Sequence, residues 1–164
     1  MIEKHKFHLR TYHPKDAQST WELFYGTIHE INSADYTVDQ LYAWAPAEID
    51  LQEWSNRLLK NDFVVVAEQS NFVVGIGSAN NTGYLDLLYV HKDYQRNGIA
   101  TMLVNEIESR LYSTGVDTIS TDASITARPF FIKRGYTVLK KQRIACRGVY
   151  MTNFRMVKEI KNAL

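Results

Sequence analysis

The stretch YVHKDYQRNGIATMLVNEI, residues 89–107, narrows the fold more than any other segment of the chain. It leaves an apolar run, YLDLLYV (84–90), crosses a polar turn, and enters a helix on which Ile99, Leu103, Ile107 and Leu111 recur at helical spacing. A strand that passes straight into a long helix predicts a sheet with crossover helices, an α/β fold. The turn, Gln95-Arg96-Asn97-Gly98-Ile99-Ala100, sets two amides and an arginine beside residues with almost no side chain. The first N–H groups of a helix and the positive end of its dipole attract an anion, above all a phosphate. Gly98 has no Cβ to hold that anion away, Ala100 nearly none, and Arg96 adds charge at the rim. From these residues alone the segment is either a phosphate loop or a plain strand-to-helix turn. Neither Gly-x-x-x-x-Gly-Lys-Ser/Thr nor Gly-x-Gly-x-x-Gly occurs.

The remaining segments alternate in the same way. FHLRTY reads as a first strand ended by Pro14, and Asp16 as the cap of a helix with Trp21, Phe24, Tyr25 and Ile28 on one face. VDQLYAWAP is helical until Pro46. DLQEWSNRLLKN follows, with Asp50 as cap and Leu51, Trp54 and Leu58 on a stripe. FVVVAEQ, FVVGIGSA and YLDLLYV are three strands in succession. After the long helix, with Gly115 as its C-cap, come the strand DTISTDA, a short helix TARPFFIKR closed by Gly135, and two last strands, YTVLKKQRIA and VYMTNFRMV. The order is βααα, three strands, then αβαββ, one domain over residues 1–164.

Net charge is +1 over 164 residues, so no global field recruits nucleic acid or an anionic membrane. No apolar run reaches the roughly 20 residues that span a bilayer. One cysteine, Cys146, excludes an internal disulfide and a zinc site built on paired cysteines. These features, with a polar N-terminus, predict a cytoplasmic protein. His5, His8, His13, His29 and His91 show no metal-ligand spacing, so no metal is expected and their roles are surface or packing.

Two motifs together carry a resemblance. Gln95-Arg96-Asn97-Gly98-Ile99-Ala100 is similar to the Gln/Arg-x-x-Gly-x-Gly/Ala signature of the GCN5-related N-acetyltransferases, the GNAT superfamily. Ala127-Arg128-Pro129-Phe130-Phe131, followed by Gly135-Tyr136, resembles that family's second element at matching spacing. AWAP, DASITARPFF and CRGV resemble a poorly characterised bacterial branch, which implies a bacterial source. The resemblance implies a GNAT-like single α/β domain, whose mixed, mostly antiparallel sheet has splayed fourth and fifth strands and flanking helices. It implies acetyl-CoA as acetyl donor. The backbone N–H groups of residues 96–101, including Thr101, would grip the pyrophosphate. Leu88, Tyr89 and Val90 would pair with the pantetheine arm like an added strand. Ser124, Pro129, Phe130, Phe131 and Lys133 would lie beside the cofactor. The acceptor implied is a primary amine of a small molecule or peptide, and family members are often homodimers.

The chain departs from the pattern at the proton donor. The tyrosine often found in the second motif is Phe131 here, and the asparagine three residues before the motif's alanine is Ser124. Candidates for acid and base are therefore Tyr84 and Asp86, on one side of the fourth strand, with Cys146 and Tyr150 near the end of the chain. Asp86 divides evenly between a structural and a catalytic role. An acetyltransferase, an acyl-CoA-binding module with little catalysis, and a binder of another phosphate ligand all remain open on these residues.

Overall fold

The computed structural model describes residues 6–160; His5 lies outside the described residues. The strands are β1 (His8–Thr11), β2 (Phe63–Gln69), β3 (Phe72–Ala79), β4 (Tyr84–Val90), β5 (Thr118–Ser124), β6 (Thr137–Cys146) and β7 (Val149–Glu159). The helices are α1 (Ala17–Glu30), α2 (Val38–Trp44), α3 (Leu51–Leu58), α4 (Ile99–Ser113) and α5 (Arg128–Lys133). The strands form one sheet in the order β1-β2-β3-β4-β5-β7-β6. All neighbours are antiparallel except β4 and β5.

Both faces of the sheet are covered. On one, Trp21, Phe24, Ile28, Trp54 and Leu58 from α1 and α3 pack on Val66, Ile76 and Leu87. On the other, Ile99, Leu103, Ile107 and Leu111 of α4 are buried, the four positions that the helical spacing predicts. Gly75 and Gly77 let α4 sit close. A Cβ on Gly75 would come within 2.7 Å of Ile99 and 2.9 Å of Leu103, and one on Gly77 within 2.8 Å of Ile107. Distances this short are overpacked.

Local caps follow the sequence in part. Asp50 accepts the N–H groups of Gln52 and Glu53, as its position before α3 predicts. Leu51, the first residue of α3, is exposed rather than part of the stripe, because the helix turns its Trp54, Ser55 and Leu58 face inward. Asp16 precedes α1 but does not cap it. Its carboxylate turns back to the His13 N–H at 2.8 Å and to Arg10, whose Nη1 and Nη2 donate at 2.8 and 2.9 Å. Among the other histidines, His13 and His91 accept the N–H two residues on, and His29 packs at a tilt against the rings of Tyr25 and Tyr42.

Candidate active site

β4 and β5 are bridged only at Tyr84–Ser120 and Leu85–Thr121, and the Thr121 hydroxyl donates to the Leu85 carbonyl at 2.9 Å. Beyond Leu85 the strands part. β4 still pairs with β3 through Leu87, Leu88, Tyr89 and Val90, but its other edge has no strand beside it. The gap opens into a cleft of about 700 Å³. Asp86 has no partner in the register where Ser78 faces Leu87 and Ala79 faces Leu85, so a bulge sits at the point of parting. As a result Leu85 packs with α4, whereas Leu87 packs with α1 and α3.

The loop at the cleft mouth owes its shape to its amides. Gln95 Nε2 donates to the carbonyls of Val90 at 2.7 Å and His91 at 3.3 Å, which ties the loop to the end of β4. Asn97 Nδ2 donates to Tyr94 and Gln95, both at 3.0 Å. These bonds hold Arg96 at φ 61°, a left-handed conformation that a non-glycine residue adopts only under constraint. Gly98, at φ 79°, is the N-cap of α4, and no side chain caps that helix start. A Cβ on Gly98 would meet nothing within 4 Å. The first N–H groups of α4 therefore face open space, with Gln95, Arg96, Ile99, Ala100 and Thr101 lining the cleft around them.

The floor of the split is polar. Asp122, just past the last bridge, accepts Tyr84 Oη at 2.9 Å, Arg155 Nε at 2.7 Å and Nη2 at 3.0 Å, and Gln142 Nε2 at 2.8 Å. One carboxylate thus links β4, β5, β6 and β7. Burial, and then the bound Asp122 carboxylate, push the Tyr84 phenol well above its usual range. The Tyr84 phenol thus keeps its proton and donates it to the Asp122 carboxylate in a hydrogen bond. Asp86 accepts Arg57 Nη1 at 3.1 Å and Nη2 at 3.4 Å, and Asn61 Nδ2 at 3.0 Å. It lines the cleft while tied to α3.

Leu88, Tyr89, Val90, Ser124, Phe130, Phe131 and Cys146 also line the cleft. Ser124 Oγ accepts the Ala127 N–H at 3.0 Å and so shapes the turn into α5. Phe131 is packed against Phe130 and Tyr136, with ring centroids at 5.4 and 5.0 Å. Cys146 Sγ donates to the Ala43 carbonyl at 3.3 Å.

Four expected residues do not line the cleft. Asn97 is turned into its own loop; Pro129 and Lys133 are exposed on α5. Tyr150 pairs with Ala145 on the outer face of the β6–β7 hairpin, 55% exposed, with Arg143 4.0 Å above its ring. Sequence reasoning missed Arg57, Asp122 and Asn32, which line the cleft. An acid inside the otherwise small, β-branched DTISTDA was the available signal for Asp122. Arg57 and Asn32 carried none. Among the described residues, no group of three or more His, Cys, Asp or Glu gathers into a metal-holding cluster, and no helix is long and apolar enough to cross a membrane.

Comparison with known proteins bears on this geometry. The family model of an acetyltransferase (GNAT) domain matches residues 32–158. The chain is 34% identical over 151 residues to the uncharacterized N-acetyltransferase YafP of Escherichia coli (strain K12), covering 90% of this chain and 93% of that protein. A GCN5-related N-acetyltransferase from Rhodopseudomonas palustris superposes with a TM-score of 0.89 at 31% identity, over 93% of this chain and 95% of that one. PaiA N-acetyltransferase from Thermoplasma acidophilum, solved with coenzyme A, shares the fold with a TM-score of 0.76 at 15% identity, over 94% and 99% of the two chains. YncA from Salmonella typhimurium, solved with acetyl-CoA, does so at 0.69 and 15%, over 97% and 96%. A sheet that parts beside an uncapped helix start, in a chain related along most of its length to such enzymes, is the mark of a family: this protein belongs to the GNAT acetyltransferases and is an N-acetyltransferase, an acyltransferase.

Proposed function

We propose that the protein transfers an acetyl group from acetyl-CoA to a primary amine of a small molecule or peptide. The observation that carries this reading is the parting of β4 from β5 next to the uncapped start of α4. The residues present fit the donor: Gly98 leaves room where a Cβ would stand, and the first N–H groups of α4 with Arg96 suit a pyrophosphate. The open edge of β4 suits the amides of an extended arm. Val90's carbonyl is already occupied by Thr27 Oγ1 at 2.8 Å and Gln95 Nε2 at 2.7 Å, so that pairing rests mainly on Leu88 and Tyr89.

Acetyl-CoA, when bound, supplies a thioester: the amine nitrogen bonds to the acetyl carbon, the carbon–sulfur bond breaks, and a thiol leaves. The chain's own part is to bind, orient and move a proton. An ammonium cannot attack, so a base must take its proton. Asp86 is the candidate, directly or through one water, with Arg57 and Asn61 orienting its carboxylate. Phe131 has no proton for the leaving thiolate, and the Tyr84 phenol and the Cys146 thiol, both in the cleft wall, are the remaining candidates among the expected residues.

The test is release of free CoA from acetyl-CoA with a panel of primary amines, with the acetylated product identified by mass spectrometry. Turnover of at least one amine is expected. A thermal shift with acetyl-CoA but no turnover across the panel would favour the acyl-CoA-binding module, the reading that Phe131 supports.

A further inference from the structure

Asn32 begins a 3-10 turn between α1 and α2, is 4% exposed, and lines the cleft. Its backbone carbonyl accepts the Asp35 N–H at 3.0 Å, but its side-chain amide makes no hydrogen bond to any described residue. Among the described residues, the buried side-chain polar atoms left unpaired are Ser78 Oγ and Arg134 Nε, so the Asn32 amide keeps its access to the cleft, where a polar group of a bound molecule can pair with it.

The surrounding wall is aromatic and continuous. Trp21 lies 5.4 Å from Phe24 and 5.2 Å from Trp54, and Phe24 lies 4.8 Å from both Trp54 and Tyr89. Trp44 joins Tyr89 at 6.4 Å and Tyr36 at 5.3 Å. All six rings line the cleft. The Tyr36 hydroxyl is already engaged, accepting the Ile125 N–H at 2.9 Å and donating to the Thr152 carbonyl at 2.7 Å.

Charge narrows the ligand further. Asp86 and Asp122 are the carboxylates lining the cleft, and each faces an arginine, Arg57 at 3.1 Å and Arg155 at 2.7 Å. Neither is left over for a second ammonium. Arg147 Nη1 likewise donates to the Ala43 carbonyl at 2.6 Å.

We infer that the acceptor is a monoamine on an aromatic body that also carries a hydrogen-bonding group, and that the Asn32 amide reads that group. This rests on the acetyltransferase reading above. Flat rings stack on the aromatic wall, the polar group satisfies Asn32, and polyamines find no matching charges.

The experiment measures kcat/KM at saturating acetyl-CoA for tyramine, phenethylamine and spermidine, in the wild type and in Asn32→Leu. The two aromatic probes differ by one hydroxyl. Leucine has nearly the shape of asparagine and removes no bond within the chain, so this variant should fold; if it melts early, Asn32→Ser takes its place. Tyramine should exceed spermidine at least tenfold. Asn32→Leu should lower the tyramine-to-phenethylamine ratio of kcat/KM at least fivefold, mainly through the KM of tyramine. Equal or better turnover of spermidine, an unchanged ratio, or no turnover of either aromatic amine overturns the inference. A thermal shift with acetyl-CoA, recorded alongside, separates the failures. If it is present while the aromatic amines fail, the acceptor class is wrong and the acetyltransferase reading stands; if it is absent, the donor site itself is wrong.

Discussion

α4 carries a glycine at each end, and the pair allows a matched test of the anion site. Gly98 precedes the helix at φ 79° and Gly115 follows it at φ 87°; a Cβ at either would meet nothing within 4 Å. Glutamate at either position therefore brings the same strain and the same charge without a clash. Holding a non-glycine residue in the left-handed region costs roughly 1–2 kcal/mol. The helix dipole then separates the two, favouring the negative charge at the N-terminus and opposing it at the C-terminus by about 0.3–1 kcal/mol. Gly98→Glu should lose about 1 kcal/mol of stability and Gly115→Glu about 2, which for this size of domain is roughly 2–4 °C and 4–8 °C in Tm. Ligand binding should rank them the other way. In the wild type, acetyl-CoA at about 100 times Kd adds about 2.7 kcal/mol, a rise of roughly 5–10 °C. Gly115→Glu, the less stable variant, should keep that rise. Gly98→Glu should lose it, because its side chain and charge enter the space before the α4 N–H groups. Differential scanning fluorimetry with and without acetyl-CoA reads both effects at once. An unchanged rise in Gly98→Glu, or loss of the rise in both variants, would refute the assignment of the helix start as the pyrophosphate site.

Asp86→Asn should lower kcat/KM at least about tenfold, a barrier change of about 1.4 kcal/mol, while the acetyl-CoA shift persists. Its ion pair with Arg57 is partly exposed, so the stability loss should stay near 1 kcal/mol; full activity or a far larger loss makes Asp86 a scaffold residue. Phe131→Tyr should fold and keep the acetyl-CoA shift, since Phe131 lines the cleft; loss of binding on adding one hydroxyl would show that the ring is locked in the core it shares with Tyr136. Burial pushes the Asp16 carboxyl up, but the bonds from Arg10 and from the His13 N–H outweigh it and hold the group below the usual carboxylate range. A depressed folded pKa stabilises above the unfolded value of about 3.9 and is lost as pH falls through the folded one. The Tm gap between wild type and Asp16→Asn should therefore stay level from pH 7 to 5 and narrow below about pH 4; a gap that widens in acid reverses the sign.

Elements whose stabilising pattern is local were legible in the sequence. The α4 stripe, the Asp50 cap and the succession of strands and helices along the chain are all contained in short windows, and they appear as the periodicity predicts. The turn into α4, with Gly98 at positive φ before an uncapped helix start, was legible for the same reason. What escaped depends on registers between distant segments. The bulge at Asp86 is a mismatch between β3 and β4, invisible in either strand alone. The partner of Asp86 is 29 residues away on a helix whose orientation no spacing reveals. Cys146 and Tyr150 looked equivalent, yet the tight turn at Arg147 and Gly148 sends them to opposite faces of the hairpin. Gln95 and Asn97 invited a ligand role, but their amides find backbone carbonyls two to five residues away. Asn32 sat in a polar stretch between two helices, where an asparagine is ordinary turn material.

The seam between β4 and β5 is only two residue pairs wide, and this divides the sheet into two leaves, β1–β4 and β5–β7–β6. Such a sheet resembles a book with a narrow spine. Anything laid along the open edge of β4 while touching β5 or α5 acts as a stitch between the leaves, so ligand protection against amide hydrogen exchange should be uneven. It should concentrate at Leu88, Tyr89 and the segment around residues 122–127, and leave the β2–β3 and β6–β7 ladders, far from the spine, exchanging as they did before.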